Sequence, residues 1–148
     1  MNMYEAVNDV MVSLFNEMWA LEEKAIITEE FKDISGNDMH IIEAIGISEG
    51  NNMSTIAKKL KITVGSLTTS MNSLVNKKYA ERKRSKIDRR VVYIMLTEKG
   101  KRAYNHHKDF HSRMTKAVLE RLKEDEVPVL MKALNGLMDF FQRVDLKI

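Results

Sequence analysis

No cysteine occurs anywhere in this chain, so disulfides, thiolate metal ligands and thiol redox switches are all excluded. Only one proline and six glycines interrupt its 148 residues, which suits a mainly helical protein, because both residue types break helices. No apolar run approaches the ~20 residues needed to span a bilayer. The N-terminus lacks the basic-then-apolar order of a signal peptide, and a cytoplasmic protein with no membrane partner is expected. Catalytic signatures are missing too: there is no cysteine nucleophile, no phosphate-binding glycine loop and no metalloprotease helix motif. Ser66 lies far in sequence from the four histidines, with nothing to suggest a triad. The expectation is that the chain is not an enzyme.

What the chain does have is positive charge gathered in one place. Between Lys77 and Arg90, eight Lys or Arg stand against two acids, Glu81 and Asp88. That stretch carries +6 in fourteen residues, whereas the chain as a whole carries +3, so the remainder sums to −3. Such asymmetry is the electrostatic footprint of a nucleic-acid binder. With 44% apolar and 30% charged residues the composition is that of a soluble globular protein, and the length suits one domain with a real core.

Periodicity sets out the rest. Met3, Val7, Val10, Leu14, Met18, Leu21 and Ala25 alternate spacings of four and three, as a helix burying one stripe requires. Leu130, Leu134, Leu137, Phe141 and Val144 repeat that pattern, widened by Met131, Met138 and Phe140, in a final helix beginning near Asp125, with Pro128 in its first turn. Seams of this kind cap a monomer's core or form an intertwined dimer, and reading a two-fold site favours the dimer. Lys32–Asp38 reads as loop and Met39–Ile47 as helix; Gly50-Asn51-Asn52 breaks the chain. Ser54 is a candidate cap for a short helix from Thr55 to Leu60. After a turn at Lys61-Ile62-Thr63, Thr63 caps a second helix whose Val64, Leu67, Met71, Leu74 and Val75 share one face. Ser66, Thr69, Asn72, Ser73 and Asn76 take the opposite face, which is uncharged and rich in short hydrogen-bonding groups suited to base edges and phosphates in a major groove. A basic strand, a charged turn and a β-branched strand ending at Thr97 follow, and a long helix then runs to about Leu122. The fold expected is mainly α with a small β-hairpin wing: a winged helix-turn-helix over about residues 37–100, with dimerisation helices over about 1–30 and 101–148, in a single domain.

The stretch Leu74…Tyr79-Ala80-Glu81-Arg82…Asp88-Arg89-Arg90…Leu96-Thr97…Gly100 closely resembles the wing signature of the MarR family of transcriptional regulators. Lys78 departs from the family's usual glycine, and Ala80 replaces a larger aliphatic residue. The resemblance implies a homodimeric repressor that binds a pseudo-palindromic operator on double-stranded DNA. In that reading Thr63, Ser66, Thr68, Thr69 and Asn72 face the major groove, while Arg82, Arg84, Asp88, Arg89 and Arg90 serve backbone and minor groove. Arg90 is the residue for the groove, Arg89 meets a phosphate, and Asp88 orients a neighbouring guanidinium through a bidentate pair. Phe31-Lys32-Asp33-Ile34-Ser35, Met39-His40, Thr68-Thr69-Ser70, Asp88-Arg89-Arg90-Val91-Val92-Tyr93 and His107-Lys108-Asp109-Phe110-His111 look like the fatty-acid-synthesis repressor (FabT) branch. That likeness implies control of lipid-synthesis genes, with long-chain acyl-acyl carrier protein as an acyl-chain effector.

Two alternatives accompany this reading. His107 and His111 stand four apart on one helical face, and with His40 and an acid of the first helix, Glu22 or Glu23, they resemble the ligand set of the zinc-sensing branch of the same family. The plainer account is that these histidines are structural, and no metal is favoured. From another class, a winged helix used only for protein–protein contact would not need so many arginines in its wing.

Overall fold

The computed structural model describes residues 1–144, so the last four residues of the expected C-terminal dimerisation segment lie outside the described residues. Residues Met1–Asp109 form one unit, and the described residues from Phe110 onward form a second.

In the first unit, α1 (Met3–Ile26) starts at a capping box in which Asn2 and Glu5 satisfy each other's backbone N–H groups. A second capping box, Ser35 with Asp38, opens α2 (Gly36–Ile45). Helix α2 thus begins three residues before the expected Met39, because Ser35 and Asp38 convert the end of the supposed loop into a first turn. It also ends earlier than expected, at Gly46, whose φ of 71° cannot continue a helix.

The break at Gly50-Asn51-Asn52 is a third strand rather than a plain loop. Strand β1 (Asn51–Asn52) pairs with β3 (Val92–Leu96), which in turn pairs with β2 (Ala80–Arg84), all antiparallel, in the order β1-β3-β2. Gly50 allows the approach, since a Cβ there would stand 3.0 Å from the Cβ of Tyr93. The cap of α3 (Met53–Leu60) is Asn52, not Ser54. Its Oδ1 accepts the Thr55 N–H at 2.8 Å, and pairing with β3 already holds Asn52 in the extended backbone that a cap needs.

Helix α4 (Val64–Asn76) is capped by Thr63, as its sequence predicts. Leu67, Met71 and Leu74 are fully buried, whereas Val64, expected on the same face, is largely exposed in the first turn. These three residues meet Met39, Ile41, Ile42, Ile45, Ile56 and Ile94 in one core. Ala57 is buried among them, consistent with a small residue where two helices cross closely. The chain leaves α4 through Lys78 in the left-handed region, φ 67°, with the Tyr79 N–H bonded to the Leu74 carbonyl. Lysine there costs about 1 kcal/mol relative to glycine.

Helix α5 (Glu98–Arg121) runs from the first unit into the second, and α6 (Glu126–Arg143) completes the second. Pro128 falls in the first turn of α6, where it removes no helical hydrogen bond. No residue of α6 is buried, and Met131, Leu134, Leu137, Met138, Phe140 and Phe141 are all exposed. Helix α1 likewise exposes Val7, Val10, Leu14, Phe15, Met18 and Trp19, and of its residues only Ile26 is buried.

The tightest backbone approach lies where α5 begins. The Tyr79 carbonyl accepts the Thr97 N–H at 3.0 Å, the Thr97 hydroxyl bonds the Lys78 carbonyl at 2.6 Å, and the same hydroxyl caps the Gly100 N–H. A Cβ on Gly100 would lie 2.0 Å from the Tyr79 oxygen. Gly100→Ala therefore forces two backbones apart and should destabilise the fold by about 3 kcal/mol. Gly65→Ala, whose Cβ would find nothing nearer than 3.9 Å, should stay within about 1 kcal/mol of the parent. Urea denaturation of the two variants checks the contrast.

Candidate nucleic-acid interface

Thr63, Ser66, Thr68, Thr69 and Asn72 are all exposed, on the polar side of α4. Their hydroxyls are not equally available. Thr63 Oγ1 accepts the Ser66 N–H at 3.1 Å and donates to Ser66 Oγ at 2.9 Å, so this residue is first of all the helix cap. Thr68 donates to the Val64 carbonyl at 2.8 Å, an internal bond that consumes its proton. Ser66 Oγ accepts the Thr63 hydroxyl but keeps its own proton to donate, and Thr69 is exposed. The α4 sequence contains no charged residue at all, so any charge brought to a ligand here comes from the wing.

The wing is fastened to that helix. The Arg82 guanidinium on β2 donates to the Asn72 Oδ1 on α4 in a short hydrogen bond. The two residues expected to act separately on DNA are therefore one unit, and both remain exposed. Arg84 is also engaged: it donates to the Arg89 carbonyl at 3.1 Å, across the hairpin loop.

At the tip the expected bidentate pair is present. Arg90 Nε and Nη2 each lie 3.1 Å from an Asp88 carboxylate oxygen, and the Arg90 N–H bonds the same carboxylate. These bonds from Arg90 hold the Asp88 carboxyl below its ordinary range. The Arg90 side chain stays 91% exposed, so Asp88 aims the guanidinium without burying it. Sequence reasoning missed Ser85, whose Oγ accepts the Ile87 and Asp88 N–H groups at 3.2 and 3.3 Å. A serine opening a charged turn is the signal that was there to be read.

A second group missed from the sequence anchors the base of the wing. Tyr79, fully buried just after α4, donates its phenol to Asp33 Oδ1 at 2.5 Å, and Lys99 Nζ sits 4.4 Å above its ring and 3.9 Å from Asp33. Burial first, and then the bond to Asp33, push the Tyr79 phenol above its usual range; the same bond, helped by Lys99, holds the Asp33 carboxyl below its own. Lys77 pairs with the buried Asp38 at 3.5 Å, a further tie from the end of α4 to α2. Nothing in the local pattern of either segment points to these partners.

Among the histidines, His107 is 1% exposed and its Nε2 lies 2.8 Å from Glu43 and 3.2 Å from Glu22, so an Nε2–H is held between two carboxylates. His40 faces Glu43 from the surface at 3.6 Å, His106 bonds the Ala25 carbonyl at 2.9 Å, and His111 lies one turn beyond His107 on α5. Glu22 and His107, two of the proposed metal ligands, thus meet. Glu43, which was not among the candidates, is the acid that His40 and His107 share.

A helix-turn-helix with an uncharged polar second helix, braced to an arginine-tipped hairpin, defines the class: this is a winged-helix transcriptional regulator. Residues 23–107 match the family model described as transcriptional regulator SarA/Rot. Among solved structures the chain is similar to FabT of Streptococcus pneumoniae, determined in complex with DNA. The two are 39% identical, the match covers 94% of this chain and 97% of that one, and the TM-score is 0.87. The MarR-family regulator SP03579 shares the fold at 16% identity and a TM-score of 0.78, over 99% of this chain and 94% of that one. The HTH-type transcriptional regulator PchR of Bacillus subtilis is 25% identical over 119 residues, covering 77% of this chain and 70% of that protein. The chain belongs to the MarR-type regulators, as a FabT-like member of the SarA/Rot group. Its relatives are regulators rather than enzymes, and so is this protein. Among the described residues, no helix is long and apolar enough to cross a membrane.

The phenol at the wing base has a consequence for pH. A raised pKa means that its stabilising effect is complete below the ordinary tyrosine value of about 10 and is lost as pH climbs beyond it, because the unfolded chain ionises first. Tyr79→Phe should cost about 1 kcal/mol at pH 7. The gap between variant and parent should narrow in denaturant melts repeated near pH 11. A gap that stayed constant would show that the phenol is not held in its protonated form.

Proposed function

We propose that this protein is a homodimeric repressor that reads a pseudo-palindromic DNA operator, with α4 in the major groove and the wing arginines at the minor groove. The observation that carries this is the bond between Arg82 and Asn72. It locks a polar, uncharged recognition face and a cationic hairpin into one surface, so that a helix in one groove fixes the hairpin's approach to the next. Phosphates supply the affinity, through Arg89 and the lysines of the wing; the hydroxyls of Ser66 and Thr69 and the amide of Asn72 supply base contacts. Arg90, aimed by Asp88, enters the minor groove, where the negative potential is strongest. The likeness to FabT supports DNA as the ligand, and the resemblance to the fatty-acid-synthesis repressor branch supports lipid-synthesis genes as the target.

The exposed stripes of α1 and α6 support the dimer. A monomer rarely leaves so many large apolar side chains in water on helices of this length, and a second copy is the natural cover. Two-fold symmetry then sets the two recognition helices about one turn of DNA apart, roughly 34 Å.

Sequencing of sheared genomic fragments retained by the purified protein supplies the operator; enrichment of a palindrome ahead of fatty-acid genes supports the target named above. On that operator, Arg90→Ala should bind roughly tenfold more weakly, about 1.4 kcal/mol, and its log–log salt slope should be shallower by about one. Parent-like binding by Arg90→Ala would remove the arginine from the groove. Leu137→Glu places a charge in the α6 stripe and should run as a monomer on a sizing column, losing operator binding with it. A variant that stayed dimeric would put the interface elsewhere, and affinity insensitive to salt would favour a protein-binding wing.

A further inference from the structure

One residue of the wing tip serves none of the purposes described so far. Ile87 is 100% exposed, between Lys86 and Asp88, in a loop whose other residues, apart from the half-buried Val91 at its end, are polar or charged. An isolated surface isoleucine is unremarkable on a flexible loop, but this loop is tied by several hydrogen bonds on both sides of Ile87. The Ser85 N–H bonds the Val91 carbonyl at 2.9 Å and the Val91 N–H bonds the Asp88 carbonyl at 3.0 Å. Ser85 Oγ caps the Ile87 and Asp88 N–H groups, Asp88 takes the Arg90 N–H, and Arg84 reaches across to the Arg89 carbonyl. Ile87 is therefore presented by a fixed backbone, with a β-branched side chain that has little rotamer freedom to lose on contact.

We infer that Ile87 is a DNA-contacting residue of the wing, packing its side chain against the deoxyribose wall of the minor groove beside Arg90. This rests on the operator-binding reading given above. The groove suits both side chains: its floor carries the negative potential that draws a guanidinium, and its walls are the C–H surfaces of sugars, which an aliphatic side chain can cover with no hydrogen bond left unmade. Lys86, Arg89 and Arg90 surround Ile87 with the charge needed to bring the tip to DNA. Arg90 and Ile87 lie three residues apart in the same fixed turn, so an arginine entering the groove carries the isoleucine to its edge. The contact is apolar and displaces no counterion. It therefore adds affinity without adding to the salt dependence, which separates it from every basic residue of the wing.

The test uses the full-length protein and the duplex that the parent selects from a random-sequence DNA library. Ile87→Ala should bind that duplex roughly five- to tenfold more weakly at fixed salt, the loss expected when most of one aliphatic side chain is no longer covered. Its salt slope should equal the parent's, whereas that of Arg90→Ala should be shallower by about one. Hydroxyl-radical cleavage, which attacks sugars from the minor groove, should show protection of the operator flanks that is weaker in Ile87→Ala even at saturating protein. Ile87→Lys provides a second check, since it should steepen the salt slope while still failing to restore the flank protection. If the parent selects a duplex and Ile87→Ala matches it in affinity and footprint, the isoleucine contact is wrong and the operator-binding reading stands. If the parent selects no duplex, the operator-binding reading fails and this inference falls with it. The tip is solvent-exposed and its turn is closed by hydrogen bonds that Ile87 makes only through its backbone, so neither substitution threatens folding.

Discussion

The carbonyl of Tyr79 is the point on which the DNA-reading half of this protein turns. It closes the base of the hairpin by accepting the Thr97 N–H, and it presses so closely on the first turn of α5 that no side chain fits at Gly100. Helix α4 ends three residues earlier, and β2 starts one residue later. Recognition helix, wing and the start of the long helix therefore share one short piece of backbone, and none of the three can shift without disturbing the other two. The side chain of the same residue runs the other way, into the core and onto Asp33 in the α1–α2 connection. One residue thus ties the DNA-facing elements to the segment that leads back to the first helix.

Further out, rigidity is obtained by spending some of the wing's own hydrogen-bonding capacity. Arg82 is committed to Asn72, Arg84 to a carbonyl of the loop, and Arg90 to Asp88. A wing built only for net charge would leave all three free. Each commitment removes rotamers that a free arginine would have to give up on binding, an ordering cost of about 0.5–1.5 kcal/mol per long side chain. Asp88 illustrates the exchange: it subtracts one unit of charge from the basic patch, yet it fixes the direction of the guanidinium beside it. On the operator-binding reading proposed above, direction would matter more than total charge in a narrow minor groove, with attraction to the duplex at a distance left to Lys83, Lys86 and Arg89.

The parts of this arrangement that were legible in the sequence are those encoded by local rules. The apolar spacing of α4, the Thr63 cap, the proline in the first turn of α6 and the Asp88 carboxylate beside a guanidinium each depend on residues within one or two turns of one another. What escaped depends on partners far away in the chain. Strand β1 is two residues long, too short to show any alternation, and exists because Gly50 lets it lie against Tyr93. Asn52 becomes a cap only because that pairing extends its backbone, which is why Ser54, equally suitable by composition, looked like the better candidate. The Asp33–Tyr79 bond spans 46 residues. Glu43 was overlooked beside His107 for the same reason, since nothing within α2 marks it as facing a histidine in α5. The polar face of α4 was read from its period and the wing-tip residues from the family resemblance, but the division of labour among them, cap or brace or free group, is set by contacts that only the folded chain makes.

The two terminal helices pose the complementary problem. Their apolar stripes were plain in the sequence, and in the structure they are exposed rather than spent on the core, which is assembled from α2, α3, α4 and the sheet with Ile26, Phe31, Ile34 and Ala103 at its margin. A helix of this kind gains most of its stability from packing rather than from intrinsic propensity. If the cover is a second copy, the surface that stabilises the ends of the chain is also the one that sets the distance between two recognition helices. Folding and operator spacing then answer to a single interface, and an effector need not touch the wing to control it. It has only to bind one arrangement of the terminal helices more tightly than another, and the free energy it can transmit to DNA binding is limited to that difference. In that case the backbone that Tyr79 shares between α4, the hairpin and the start of α5 would carry such a difference to the wing, whereas a loose hinge at that point would absorb it.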